Sequence, residues 1–149
     1  MILRKAKHSD IPVISDFQVK MALETENLEL NVNTVNKGVT HIFDNPETGF
    51  YFVCENNNKI CASMLVLYEW SDWRNSKVAW LHSVYVIPEH RSKGIFGMMY
   101  KEIKEWVEAD NNLSGIRLYV DKNNYNAKKV YEKIGMNSEH YVLYEWMKS

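Results

Sequence analysis

Residues 84–97 read Val84-Tyr85-Val86-Ile87-Pro88-Glu89-His90-Arg91-Ser92-Lys93-Gly94-Ile95-Phe96-Gly97. An apolar strand ends at Pro88, passes into a short basic loop with glycine, and the loop opens a helix. That junction aims free backbone N–H groups and the positive end of a helix dipole at one point. An anion, above all a phosphate or pyrophosphate, is its natural occupant. Gly94 and Gly97 allow the backbone to approach that anion closely. The same junction also occurs as a plain tight turn, so taken alone it leaves both readings open. Other phosphate loops fit worse: neither Gly-x-x-x-x-Gly-Lys-Ser/Thr nor Gly-x-Gly-x-x-Gly occurs. Gly94-Ile95-Phe96-Gly97 matches the Gly-x-x-Gly clamp of a KH RNA module, but that clamp joins two helices and a strand precedes this one.

Upstream of this stretch, residues 2–6 read as a short strand. Ser9-Asp10 starts a helix with Pro12 in its first turn, and Ile11, Ile14, Phe17, Met21 and Ala22 keep helical spacing to about Glu24. A second helix covers Val35 to Phe43 and ends near Asp44-Asn45-Pro46. Gly49 to Glu55 and Lys59 to Trp70 are strands joined through Asn56-Asn57-Asn58. After a loop at residues 71–76, Lys77 to Ile87 is a third strand.

Downstream, Gly94 to Asp110 is an amphipathic helix with Ile95, Met98, Met99, Ile103, Trp106 and Val107 on its apolar side. Gly115 to Asp121 reads as a strand, Asn124 to Ile134 as a helix and Tyr141 to Met147 as a last strand. The order β-α-α-β-β-β-α-β-α-β predicts an α/β (α+β) layer with helices on its faces.

The 149 residues suit a single domain spanning 1–149. A net charge of -1 shows no basic surplus, so neither nucleic acid nor a membrane surface is expected as a partner. No segment resembles a signal peptide or a bilayer span, which points to a cytoplasmic protein. Cys54 and Cys61 are not a disulfide framework. With a two-residue turn at Asn57-Asn58 they would face each other across a hairpin, packed and reduced. No metal site is expected, because no Cys or His pair has ligand spacing.

A second stretch settles the reading: Asn124-Tyr125-Asn126-Ala127-Lys128-Lys129-Val130-Tyr131-Glu132-Lys133-Ile134-Gly135-Met136. Here the sequence resembles the GNAT superfamily of acyl-CoA N-acyltransferases, within a little-characterised subgroup. One family motif is Arg/Gln-x-x-Gly-x-Gly/Ala between a strand and a helix. The other is Asn-x-x-Ala-x-x-x-Tyr-x-x-x-Gly-Phe/Met. Arg91 and Gly94 match the first; Asn124, Ala127, Tyr131, Gly135 and Met136 match the second. Phe96 departs from the pattern, standing where the family usually has Gly or Ala. Its amide still donates, and its ring is expected to turn into the core.

The resemblance implies a mostly antiparallel mixed sheet, splayed at a coenzyme site and flanked by about four helices. Acetyl-CoA is the implied co-substrate. Val84, Tyr85 and Val86 would pair with its pantetheine arm, and amides of Arg91, Ser92, Lys93, Gly94, Phe96 and Gly97 would meet its pyrophosphate. Lys93, Lys128 or Lys129 would reach the 3′-phosphate, unless they form only a solvated face. Asn124 would hold the pantetheine arm, and Ala127 would also contact the coenzyme. Tyr131 would protonate the departing thiolate, although its spacing also suits a core aromatic. His82 stands where many relatives carry the Glu or Asp that deprotonates the amine, a task imidazole or ordered water can share.

Glu24, Glu26, Glu29, Trp70, Asp72 and Trp73 are expected around an acceptor that is a small-molecule or peptide amine, since carboxylates with aromatics suit a cation. They also suit a solvated rim. The alternative to an enzyme is a non-catalytic acyl-CoA-binding sensor, favoured by the missing carboxylate at 82 and by Phe96. The aromatic C-terminal strand is suited to edge pairing in a homodimer or to filling the core.

Overall fold

The computed structural model describes residues 1–149, which form two compact units, Met1–Arg117 and Leu118–Ser149. The first holds strand β1 (Ile2–Lys5), helices α1 (Ile11–Glu26) and α2 (Val32–Asp44), strands β2 (Gly49–Asn56), β3 (Lys59–Ser71) and β4 (Ser76–Val86), helix α3 (Ile95–Ala109) and strand β5 (Leu113–Arg117). Short 3₁₀ turns span His8–Asp10 and Pro88–His90. The sheet order is β1-β2-β3-β4-β5. The first four strands pair antiparallel, and β5 lies parallel to β4 after the α3 crossover.

Apolar spacing explains how the layers close. Helix α1 buries Ile11, Ile14, Phe17 and Ala22, and α2 buries Val39 and Ile42. Ile11, Ile14, Val39 and Ile42 join Tyr51 and Val53 of β2 in one cluster. Helix α3 buries Ile95, Met99, Tyr100, Ile103 and Val107 and packs on β2, β4 and β5. Met98, expected on that side, is instead exposed, and Trp106 is only half-buried. Helix α2 begins three residues earlier than expected, because the Asn31 side chain accepts from the Thr34 amide and caps it.

The hairpin at Asn57-Asn58 forms with both residues at positive φ, as a two-residue turn demands. The facing of Cys54 and Cys61 requires correction. A bulge shifts the register so that Glu55 pairs with Ile60 but Cys54 pairs with Ala62, leaving Cys61 as the extra residue. Both thiols are free and buried, and burial pushes Cys54 up to about 11, so it is an inert packed side chain.

The chain entry is held by a partly buried ion pair. Arg4 donates to Asp10 (2.7 Å) and to Glu55 (3.0 Å), while the Lys7 amide donates to Asp10 (2.7 Å). Burial alone would raise the Asp10 carboxyl, but Arg4 and the Lys7 N–H outweigh it and hold the group below its ordinary value. Replacing Asp10 with Asn should therefore destabilise the protein by about 2 kcal/mol at pH 7. A depressed carboxyl pKa contributes stability above the unfolded value near 4, and this is lost as pH falls through the folded value. Urea titrations should show the gap between wild type and Asp10→Asn closing toward pH 3; a pH-independent gap would contradict the account.

The second unit contains α4 (Tyr125–Lys133). Asn124 caps its start by accepting from the Ala127 amide (3.1 Å). Its end is a Schellman motif: Met136 N–H donates to Tyr131 O, Gly135 N–H donates to Glu132 O, and Gly135 sits at φ 94°. Asn124 and Gly135 thus have local structural reasons for their places. Two expected strands are corrected. The one expected at Gly115 to Asp121 runs from Leu113 to Arg117 instead, and Tyr141 to Met147 forms no strand and is exposed. No helix is long and apolar enough to cross a membrane.

Candidate functional site

The site begins with a defect in β4. Leu65 pairs with His82, but Ser63 pairs with Tyr85, so β4 carries one more residue than β3 over the same span. Ser83 absorbs the surplus at φ 50°, a left-handed conformation disfavoured for a residue with a side chain. On the opposite side β4 pairs with β5 only from Lys77 to Trp80. Beyond Trp80, residues 81–86 have no strand partner on that edge. A bulged strand thus presents unpaired backbone groups that an extended amide-bearing ligand can take up.

The strand then leads into the loop. Ser92 (φ 61°) and Gly94 (φ 75°) turn the chain, and Gly94 caps α3 without any side-chain cap. The first intrahelical bond runs from Met98 N–H to Gly94 O, so the amides of Ile95, Phe96 and Gly97 have no acceptor within the helix. A Cβ built at Gly94 or Gly97 meets nothing within 4 Å, so there is open space beside the backbone at both glycines. The Phe96 ring is half-buried and lies 6.1 Å from Tyr100, one turn along α3.

Arg91 and Tyr85 tie this loop to α1. Tyr85 is buried against Phe17 (5.0 Å), and its hydroxyl donates to Glu24 (3.1 Å). Arg91 donates to the other Glu24 oxygen (2.7 Å) and to the Val86 carbonyl (2.8 Å), with its guanidinium over the Tyr85 ring. The Arg91 bond holds the Glu24 carboxyl below its ordinary value, while burial and then Glu24 push the Tyr85 phenol up. Glu24, expected at the acceptor, therefore already has both oxygens engaged. Because Tyr85 projects toward α1, Val84 and Val86 point to the other side of the strand.

His82 is half-buried on β4, stacked by Trp80 at 6.1 Å. Burial lowers its pKa, so the imidazole is neutral at pH 7 and able to accept a proton. Lys93 donates to the Glu89 carbonyl on the exposed loop.

Not every expected residue lies near this place. Glu26 is exposed at the end of α1 with Glu24 nearby in sequence. Trp70, Asp72 and Trp73 sit at the β3–β4 turn, where Trp70 pairs with Lys77. Val86 lies nine residue steps along β4 from Lys77, about 30 Å at strand rise. The structure does not bring this trio together with Glu24. Trp70 lines a cavity of about 570 Å³ with Tyr68, Lys77 and Trp106 at that far end.

In the second unit, Asn124 caps α4 through its oxygen, leaving its NH₂ to donate elsewhere. Ala127 is half-buried one turn into the helix. Tyr131 is half-buried, and burial pushes its phenol above the ordinary value, so it keeps its proton at neutral pH. Lys128 donates to the Lys122 carbonyl, and Lys129 is exposed. Sequence reasoning missed Ser83, whose strain makes the bulge, and the Glu24–Arg91–Tyr85 linkage. The stretch Leu81-His82-Ser83-Val84 has no Gly or Asn to signal a left-handed residue.

A family model described as the Acetyltransferase (GNAT) family matches residues 20–136. The chain belongs to that family, and its five-stranded sheet with four α-helices is the GNAT fold. A structure described as a possible acetyltransferase from Clostridium difficile 630 is 39% identical over 99% of this chain and 97% of that one, with a TM-score of 0.92. A predicted acetyltransferase with acetyl-CoA from Clostridium acetobutylicum is 20% identical over 97% and 95% of the two chains, with a TM-score of 0.75. Glucosamine-6-phosphate N-acetyltransferase from Arabidopsis thaliana is 17% identical over 99% and 98%, with a TM-score of 0.74. The last two share the fold. No curated protein matches the sequence.

Proposed function

We propose that the whole chain acts as one N-acetyltransferase domain, moving an acetyl group from acetyl-CoA to a primary amine by direct attack in a ternary complex. The observation that carries this reading is the bulged, one-sided end of β4 running into a left-handed glycine and a helix start whose first amides have no acceptor within the helix. The open edge suits the pantetheine amides, and the helix start suits the pyrophosphate. The C. acetobutylicum relative was crystallised with acetyl-CoA, which supports the same co-substrate here.

In the reaction the amine lone pair attacks the thioester carbonyl carbon and forms the C–N bond. Negative charge gathers on the carbonyl oxygen, where a β4 N–H stabilises it as an oxyanion-hole donor does. The C–S bond then breaks, and Tyr131 protonates the thiolate. The ammonium proton leaves to His82 directly or through water. Cys54 and Cys61, buried on the β2–β3 hairpin, take no part. The acceptor is a small-molecule or peptide amine.

Calorimetry with coenzyme A followed by thiol release across polyamines, aminoglycosides, amino acids and peptide N-termini tests the proposal. Binding without thiol release from any amine would favour the sensor alternative, and absence of binding would refute both.

His82 gives a second check. Since burial holds its pKa below that of free imidazole, the acidic limb of kcat/KM should fall below pH 6.5. In His82→Gln that limb should vanish, with a loss of about tenfold or more at pH 7. A limb unchanged by the substitution assigns proton removal to water.

A further inference from the structure

We propose that Glu24 is a positioning residue for the coenzyme: from helix α1, and without contacting the coenzyme itself, it fixes Arg91 and so sets which backbone groups the end of β4 and the following loop present. The inference rests on the acyltransferase reading above, because it names what tunes that same site.

The backbone of β4 shows what Arg91 does there. The Ile87 amide donates to the Cys61 carbonyl (2.9 Å), and Val86 lies opposite Ala62. Successive residues of a strand direct their backbone groups to alternate edges, so the N–H and C=O of Val86 point away from β3. That is the edge on which residues 81–86 have no strand partner. Of the two groups, the carbonyl is engaged: Arg91 Nε donates to it at 2.8 Å. What Arg91 leaves on offer at this place is the Val86 N–H, a donor that suits a ligand carbonyl.

Glu24 decides whether Arg91 stays there. A guanidinium on a long side chain has many rotamers, and a single hydrogen bond holds it poorly. The second bond comes from Glu24, whose Oε2 accepts from Arg91 Nη2 at 2.7 Å while its Oε1 accepts from the Tyr85 hydroxyl at 3.1 Å. Tyr85 precedes Val86 on β4, and its ring lies 5.4 Å from the guanidinium carbon. One carboxylate thus fixes a strand residue and a loop residue, on either side of Val86 in sequence. Only a rigid fork allows this, since its nitrogens reach two acceptors in set directions. Ser92 and Gly94, both left-handed, follow at once and turn the chain into α3. Pinning Arg91 pins the start of that turn, and a loop already ordered binds its ligand without the entropy loss of ordering. An exposed ion pair contributes little to stability. Coenzyme affinity, rather than melting temperature, therefore separates a positioning role from a plain surface contact.

Calorimetry with coenzyme A on wild type, Glu24→Gln, Arg91→Met and the double variant tests this. Glu24→Gln keeps an oxygen for Tyr85 but loses the charge that holds Arg91, so its dissociation constant should rise by about tenfold. KM for acetyl-CoA should rise in step, while kcat at saturation stays within about twofold because Glu24 touches no reacting atom. In the Arg91→Met background the same substitution should change affinity by less than about twofold, since Glu24 acts through Arg91. An unchanged dissociation constant in Glu24→Gln overturns the proposal, and so does an equal loss in both backgrounds. Tighter binding also overturns it, because Glu24 would then only neutralise a cation that the phosphates could use. Should Glu24→Gln fail to fold, Tyr85→Phe removes one bond to Glu24 and keeps the ring. A loss of about threefold, absent in the Arg91→Met background, is then expected, and no loss overturns the proposal. A wild type that binds no coenzyme A strikes the acyltransferase reading and this inference with it. A wild type and a Glu24→Gln protein that bind it equally well strike the inference alone.

Discussion

Replacing Tyr131 with Phe is expected to lower kcat by about a hundredfold to ten-thousandfold while leaving the dissociation constant for coenzyme A within about twofold. The substitution removes one oxygen from a half-buried ring that sits one turn after Ala127. A phenol is protonated at neutral pH, the form in which an acid must wait, and burial pushes that of Tyr131 further up. The phenol is a somewhat weaker acid than an alkyl thiol, so its proton passes to the sulfur as the C–S bond breaks and the thiolate charge develops. The packing contribution of the ring survives in Phe, so melting temperature should hardly move. Stopped-time thiol release at saturating acetyl-CoA, with calorimetry on the same samples, separates these readings. A core aromatic with no chemical role would keep its turnover. A residue that binds the pantetheine arm would change the dissociation constant first.

The order of elements was legible from residues alone, because the apolar spacings of α1 and α3 and the Asn57-Asn58 turn each correspond to a local physical rule. The loop motif was legible for the same reason: Pro88 stops a strand and Gly94 supplies a left-handed cap. Long-range facts were not. The extra residue in β4 shows only when β3 is laid beside it, since Ser83 carries no composition signal for φ 50°. Carboxylates near aromatics grouped Glu24 with Trp70, Asp72 and Trp73, but strand register sends them to opposite ends of β4. The C-terminal strand failed differently. Its propensity for extended structure is real, but a strand is defined by a partner, and no single-chain pattern states which edge provides one.

Replacing Gly97 with Asp should separate folding from function in opposite directions. Gly97 is the third residue of α3, and a Cβ there meets nothing within 4 Å. Removing a helical glycine and placing a carboxylate in the first turn should stabilise the unliganded protein by about 1 kcal/mol. The same carboxylate would stand in the first turn of α3, beside the amides of Ile95, Phe96 and Gly97 where the proposed pyrophosphate would sit. It competes for those donors and repels the incoming charge, so coenzyme affinity should drop by about a hundredfold or more. Gly97→Ala should give a smaller gain in stability and a loss nearer tenfold, since its methyl occupies the space without charge. Thermal melts with and without coenzyme A read both effects at once: the unliganded midpoint rises while the ligand-induced shift disappears. A variant that melts higher and still shows the wild-type shift would move the phosphate site away from α3. A variant that melts lower would mean that the helix start needs glycine for its own conformation, although only Gly94, at φ 75°, shows that need.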